Sequence, residues 1–392
     1  MATTRLKRLK QRKRIARISI SLAGIAILII LVIFLARIWG FYNKIHTVAK
    51  TPGTQTKPVE KDEYTLLLLG YGGGKHEGTY LTDTIMLANI QLKKKEVTLV
   101  SIPRDIWVNV PTKNAKDPFH AKINSVYQMG LFPKDYPAVD TKYITEDNPS
   151  GLIKEVVHDI TGMQVDGFIA VDFEGFTRVM DILGGIDVTV ERSFTDYEYP
   201  IEGKEAETCD KKDQELEDAL KEATKEPVLA FPCRFETLTF EKGATHMDGA
   251  TALKYARSRH SLDDGGDFNR AKRQQNVLEA TKEKILSIGF ISKIIPLLDE
   301  LEQHIKTDVD LSVMNKLLLE ARNANDYKRK TFVIEGKFIT DSYSEYGQYI
   351  IIPSKGIDRW DDIKTEINNI RKDITPTPSV RPTKKVTPTK TK

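Results

Sequence analysis

Arg257, Arg259, Arg270, Lys272 and Arg273 crowd into one stretch, "YARSRHSLDDGGDFNRAKRQQ" at residues 255–275. Asp263, Asp264, Asp267 and the pair Gly265–Gly266 lie among them. Guanidinium groups that converge on one point repel each other unless an anion neutralises them. The planar donor fork of arginine suits phosphate oxygens. The chemistry this pattern serves best is the binding of a multiply charged phosphate, with Asp83 or Asp267 able to hold a divalent cation. A salt-bridge-laced surface is the competing reading.

The flanking pattern shows how such a cluster is positioned. "GATALKYARSR" predicts a helix with Ala252, Leu253 and Ala256 on its buried side and Arg257 and Arg259 near its end. "HSLDDGGD" predicts a loop. "FNRAKRQQNVLEATKEKIL" predicts a second helix with Asp267 near its start. Arg270 and Gln274, four apart, share a face of it, and the free N–H groups of its first turn favour an anion.

Three other segments could contribute. In "VSIPRDIWV", Pro103 ends an apolar run and places Arg104 and Asp105 at the end of a buried strand, where α/β proteins bind ligands. A local ion pair is the alternative. Asp83 opens the apolar run "DTIMLANI" as a capping acceptor or a metal ligand. Lys122 and Asn124 precede a short helix in "HAKINSVYQMG", which also reads as an ordinary polar helix start. The glycines of "GYGGGKHEGTYLTDTIM" do not make a phosphate loop, because His76 follows Lys75 where Ser or Thr is needed. A turn between strands fits them better.

Along the chain, strand patterns at "YTLLLLGYG", "DTIMLANI", "EVTLVSIP", "GFIAVD", "IDVTV", "KTFVIEG" and "YIIIPS" alternate with helix patterns at "NSVYQMG", "SGLIKEVVHDITG", "FEGFTRVMDILGG" and "WDDIKTEINNIRK". This predicts an α/β fold around one sheet. The exported domain is assigned to residues 63–373, with a charged insertion at 196–234. Cys209 and Cys233 are the two cysteines, and they flank the polar helix pattern "DKKDQELEDALKEATKE". A Cys209–Cys233 disulfide stapling a surface insertion is expected, and two separate thiols are the alternative.

The net charge is +4, but eight Lys/Arg without an acid lie within residues 1–17 and five from Ile374 onward, which leaves about −9 between them. A basic cluster in an acidic domain is not a by-product of composition, and nucleic acid is not the expected partner. Residues 18–37 hold the apolar run "ISISLAGIAILIILVIFLA", long enough to span a bilayer. The basic tail before it predicts a cytoplasmic N-terminus and an exported remainder. An uncleaved anchor is favoured over a signal peptide by the missing small-residue cleavage site. Residues 38–62 are expected to be a juxtamembrane linker. Residues 374–392 are expected to be a disordered tail, solvated or threaded through anionic wall polymer.

An exported, tethered phosphate site favours lipid-linked pyrophosphates, because nucleotides are scarce there. Such transfer needs charge stabilisation and positioning of the incoming hydroxyl. "LLLLGYG", "TDTIML", "VSIPRD", "KINSVY", "GGIDVTV", "GATHMDGATALKYARSR" and "GDFNRAKRQQ" occur in this order, and with them the chain resembles the LytR–CpsA–Psr (LCP) proteins of bacterial envelopes. The resemblance implies a central, mostly mixed sheet flanked by helices, with an apolar tunnel for a polyprenyl chain. It implies a membrane-anchored phosphotransferase that moves a glycopolymer from an undecaprenyl-pyrophosphate carrier to peptidoglycan as a phosphodiester. Under it, Asp83 and Asp267 would hold Mg2+ or Mn2+, and Asp83 would help activate the acceptor hydroxyl. Arg104, Arg257, Arg259 and Arg270 would grip the pyrophosphate, Gln274 would complete the phosphate contacts, and Lys122 would touch the head group. Asp105 would orient Arg104. Lys272 and Arg273 read as solvated neighbours. Leu81 stands where many members carry Arg. A glycan-binding protein without turnover and a polyprenyl-pyrophosphate hydrolase are the rival functions.

Overall fold

The computed structural model describes residues 32, 35–47, 61–74, 78–114, 116, 118–144, 149–223, 226–262, 264–286, 294–321 and 323–374. The basic tail, residues 18–31, 33 and 34 of the apolar run and the tail after Ile374 lie outside them. Among the described residues no helix is long and apolar enough to cross a membrane.

The described chain opens with helix α1 (residues 35–45). It continues through strands β1 (Glu63–Tyr71), β2 (Thr82–Gln91), β3 (Glu96–Ser101), β4 (Trp107–Val110) and β5 (Phe119–Lys122) to α2 (Val126–Leu131) and α3 (Gly151–Thr161). Next come β6 (Gly167–Asp172), α4 (Phe173–Leu183), β7 (Ile186–Val190), β8 (Phe194–Pro200), α5 (Asp213–Glu222), α6 (Pro227–Ala230), β9 (Phe235–Phe240) and β10 (Gly243–Met247). The two helices of the arginine stretch follow as α7 (Gly249–Arg257) and α8 (Gly266–Ile285). The chain then forms α9 (Ile294–Leu301), β11 (Ile305–Thr307), α10 (Leu311–Ala321), β12 (Lys328–Val333), β13 (Ile339–Tyr343), β14 (Tyr349–Pro353) and α11 (Asp361–Lys372).

Six strands form one mixed sheet in the order β11-β6-β1-β2-β3-β12. β1 runs antiparallel to β2 and parallel to β6, and β3 runs parallel to β12. Alternate residues of a strand face opposite sides. Leu67 and Leu69 of β1, Leu87 of β2, Val100 of β3 and Phe168 of β6 enter one buried cluster with α2, α3 and α11. Leu68, Met86, Ala88 and Leu99 face the other side with Leu278 of α8.

Two expectations need correction. Residues 38–47 are not a free linker. Tyr42 and Ile45, three apart on α1, are buried, and Lys44 pairs with Glu302 at 2.6 Å. The Thr47 N–H donates to the Thr307 carbonyl at 2.9 Å. This short helix therefore lies on the β11 edge of the sheet. The charged insertion does not start at residue 196 either, because Asp196 and Tyr199 belong to β8 and pair with β9. The part beyond Pro200 carries α5 and the bonded pair Cys209–Cys233.

Candidate functional site

α7 and α8 meet at an angle set by the loop between them. Gly266 has φ +87°, in the left-handed region, and its N–H donates to the Arg259 carbonyl at 2.7 Å. A Cβ on Gly265 would lie 2.1 Å from the Ser261 carbonyl oxygen. A side chain at Gly265 would therefore collide with the loop, and one at Gly266 would strain a left-handed backbone.

Asp196 and Arg273 fix this loop, and the sequence reading missed both roles. Asp196 is 1% exposed. It accepts from Ser258 Oγ at 2.6 Å and from the N–H groups of Arg259 and His260 at 3.0 and 3.1 Å. Burial opposes its charge, but these donors hold its carboxyl below the usual carboxylate range. Arg273, read as solvated, is buried. It donates to the Asp264 carbonyl and carboxylate at 2.9 Å each, and to the Ser258 carbonyl. Its guanidinium lies 4.6 Å from the Phe194 ring centre. Lys272 is exposed, as expected.

The predicted phosphate and metal residues do meet. Arg104, just after β3, donates to Asp83 at the start of β2. Arg257 Nε lies 3.9 Å from the other Asp83 oxygen. Arg257 is bracketed by aromatic rings, with its guanidinium 4.4 Å from the Phe173 ring centre and Nη1 donating to Tyr199 Oη at 3.4 Å. Arg270 Nη2 lies 3.1 Å from Asp267 Oδ1. Asp105 receives Lys122 Nζ at 2.7 Å and lies 3.5 Å from Arg104 Nε. Lys122 is thus drawn to Asp105 and shares with it the task of steadying Arg104. Gln274 donates to the Ala256 carbonyl at 3.4 Å, one more tie between α8 and α7.

The cluster is over-supplied with positive charge. Burial works against Asp83, yet Arg104, Arg270 and Arg257 outweigh it and hold the carboxyl below its ordinary value. For Arg270, burial and the neighbouring Arg104 and Arg259 lower the guanidinium's hold on its proton, against Asp267 and Asp83. Arg259 is lowered the same way, by burial and then by Arg104. Within the cluster, the buried atoms Arg104 Nε and Asp267 Oδ1 lack hydrogen bonds. The ion contact from Arg270 leaves that Asp267 oxygen without a well-angled donor. The cap residue of α8, Gly265, gives no side-chain bond to the first turn. Donors, excess positive charge and one carboxylate oxygen held only by an ion contact therefore converge at one place.

An apolar cavity of about 290 Å³ adjoins the cluster, between the sheet and helices α4, α7 and α8. Leu68, Met86, Ile169, Val171, Phe176 and Leu253 contribute to its wall, and Arg257 and Gln274 line it too. A second apolar space of about 290 Å³ shares Leu68 and Leu278 with the first and runs on towards α10.

The LytR_cpsA_psr family model matches residues 40–366. The chain belongs to this family. The teichoic acid transferase TagU of Enterococcus faecalis is 24% identical over 312 residues, 76% of this chain and 82% of that protein. TagU of Oceanobacillus iheyensis is 25% identical over 344 residues, 83% of this chain and 88% of that protein. Both are named polyisoprenyl-teichoic acid–peptidoglycan teichoic acid transferases. Among solved structures, B. subtilis TagV aligns with TM-score 0.50 and 22% identity, over 81% of this chain and all of that one, which establishes the shared α/β fold. The match to the LytR–CpsA–Psr family begins at residue 40, within α1, so the half of the docked helix that carries Tyr42 and Ile45 lies inside the family region.

Proposed function

We propose that the chain is a polyprenyl-linked glycopolymer transferase. In this reading it moves a glycan from an undecaprenyl-pyrophosphate carrier to peptidoglycan or another envelope acceptor. The observation that carries it is an arginine cluster short of negative charge, set at the mouth of an apolar cavity. A pyrophosphate supplies the missing charge, and an apolar polyprenyl chain suits the cavity. The names of the family relatives support the same class of donor and acceptor.

The acceptor hydroxyl oxygen forms the new bond to the glycan-side phosphorus. The bond from that phosphorus to the bridging oxygen breaks, and the lipid leaves as its monophosphate. Arg104, Arg257, Arg259 and Arg270 stabilise the charge that develops on the phosphoryl oxygens. The N–H groups at the start of α8 add to this. Asp83 is held as an anion by its arginines, so it is a weak proton acceptor. Its better role is to position Arg104, and the hydroxyl proton passes to water.

Mg2+ or Mn2+ fits the donor set. Among the described residues no three His, Cys, Asp or Glu side chains cluster, but Mg2+ is usually bound by one or two carboxylates together with phosphate oxygens and water. Asp267, with its unbonded buried oxygen, and Asp83 would hold it. Such an ion would neutralise pyrophosphate charge.

The test is to incubate the full-length protein in detergent with a polyprenyl-pyrophosphate-linked sugar, Mg2+ and peptidoglycan oligomers. The reading predicts a covalent glycan–phosphate–peptidoglycan adduct and released lipid phosphate. Release without adduct would establish hydrolysis instead, and binding without either product would establish a tether. The anchor at residues 18–37, with the domain outside the cell, belongs to the same proposal and is checked by protease protection in membrane vesicles.

A further inference from the structure

Neither the arginine cluster nor the cavity uses the tyrosines of the β13–β14 hairpin. Tyr343 and Tyr349 are cross-strand partners, and Tyr346 lies on the connecting turn. Tyr343, Tyr346 and Tyr349 are 72%, 82% and 41% exposed. The hairpin is an ordered support for them. Ser344 N–H donates to the Gln348 carbonyl at 2.8 Å, and Gly347 N–H donates to the Ser344 carbonyl at 2.9 Å. Tyr343 and Tyr349 meet edge to face with ring centres 6.3 Å apart. Tyr349 Oη donates to Asp341 Oδ1 at 2.7 Å.

The hairpin is joined to the phosphate cluster through the backbone. Ile351 N–H donates to the Asp105 carbonyl at 3.0 Å, and Ile351 forms a parallel bridge with Ile106. The strand that displays Tyr349 is therefore bonded to the turn that presents Arg104. Burial, then Asp341, then the more distant Asp267 and Asp105 tighten the hold of Tyr349 on its hydroxyl proton. The cluster's carboxylates are within electrostatic reach of this ring.

We propose that Tyr343 and Tyr346, with Asp341 and Glu345 beside them, form a binding subsite for the saccharide strand of the acceptor. The identity of the strand as acceptor rests on the transferase reading above. Sugar rings present C–H faces that pack on flat aromatic rings, and hydroxyls that donate to carboxylates. Tyrosine supplies such a face at low cost in conformational freedom. Tyrosines also suit a membrane surface, but two observations favour the saccharide. Asp341 and Glu345 would repel anionic lipid headgroups. The N-terminal segment reaches the fold through α1 at the β11 edge, whereas the hairpin follows β12 at the opposite edge.

The test uses the full-length protein in detergent with tetra-N-acetylchitotetraose as the probe and calorimetry as the readout. The unmodified chain should bind it, and the pair Tyr343→Ala, Tyr346→Ala should weaken binding about tenfold, near the value of one lost ring contact. Polyprenyl pyrophosphate affinity should not change. Equal saccharide affinity in the two proteins overturns the proposal. A second variant, Tyr346→Trp in lipid nanodiscs, reads the surroundings directly. An emission shift on adding the saccharide supports the subsite. Quenching by brominated lipid of the emission added by Tyr346→Trp over the unmodified chain, which already carries Trp39 beside the anchor, without a saccharide response overturns it and places the hairpin on the membrane. If the chain binds no polyprenyl pyrophosphate yet holds the saccharide through these tyrosines, the transferase reading fails and the saccharide site stands.

Discussion

The two faces of the central sheet are made from alternate residues of the same strands, and they end in opposite states. Leu67, Leu69, Leu87 and Phe168 point into a closed core beneath α2, α3 and α11. Their chain neighbours Leu68, Met86 and Ile169 line an open apolar space beneath α4, α7 and α8. Protein interiors normally close-pack. Apolar volume left open beside converging polar groups is the pattern of a binding site. One face is the packed core, and the other borders the candidate site.

Substitutions should separate the two faces. Phe168→Ala on the packed face should cost about 3–5 kcal/mol by denaturant unfolding; a cost comparable to that of a cavity-lining residue would erase the contrast. Arg273→Ala should cost about 3 kcal/mol, because it removes a buried guanidinium that bonds the Ser258 carbonyl and both the carbonyl and carboxylate of the half-buried Asp264. Arg259→Ala should behave oppositely, keeping or raising stability while lowering transfer by a factor of about 10²–10³. A stability loss equal to that of Arg273→Ala would show that Arg259 is structural. Val171→Phe, which fills part of the cavity, should leave unfolding nearly unchanged and weaken polyprenyl pyrophosphate about tenfold.

The smallest effect concerns pH. The Asp83 carboxyl sits below its ordinary value of 3.8 in the folded chain. Its stabilising contribution is complete above that value and is lost as pH falls through the lower, folded one. The stability gap between the unmodified chain and Asp83→Asn should stay constant from about pH 5 to 7 and close in stronger acid. A gap that widens on acidification would contradict the ion pairing with Arg104.

Much of this was legible in the sequence, because alternation and helical periodicity are local. Every strand and helix pattern named corresponds to an observed element, but "IDVTV" and "YIIIPS" form β7 and β14, which pair with β10 and β13 outside the six-stranded sheet. The meeting of Asp83, Arg104, Arg257 and Arg270 could be anticipated because each sits at the end of such an element. What escaped depended on distant partners. Arg270 and Arg273 are the same residue type on one helix, and only Asp264, Ser258 and Phe194 make the second a bracket. A signal was present, since Arg273 is in phase with the buried Val277 and Ala280. Asp196 looked like one more acid in a charged insertion, although it closes the loop between the two arginine helices. In α1, two apolar residues three apart were too few to stand out after a long apolar run.

The central claim is that the arginine cluster and the hollow face of the sheet together hold one lipid-linked pyrophosphate. The most direct measurement compares the affinities of the full-length protein for polyprenyl pyrophosphate, polyprenyl monophosphate and inorganic pyrophosphate, alongside Arg259→Ala and Val171→Phe. The account predicts that polyprenyl pyrophosphate binds tightest, that Arg259→Ala removes its advantage over the monophosphate, and that Val171→Phe removes its advantage over inorganic pyrophosphate. Equal affinity for all three ligands, or no change in either variant, would contradict it.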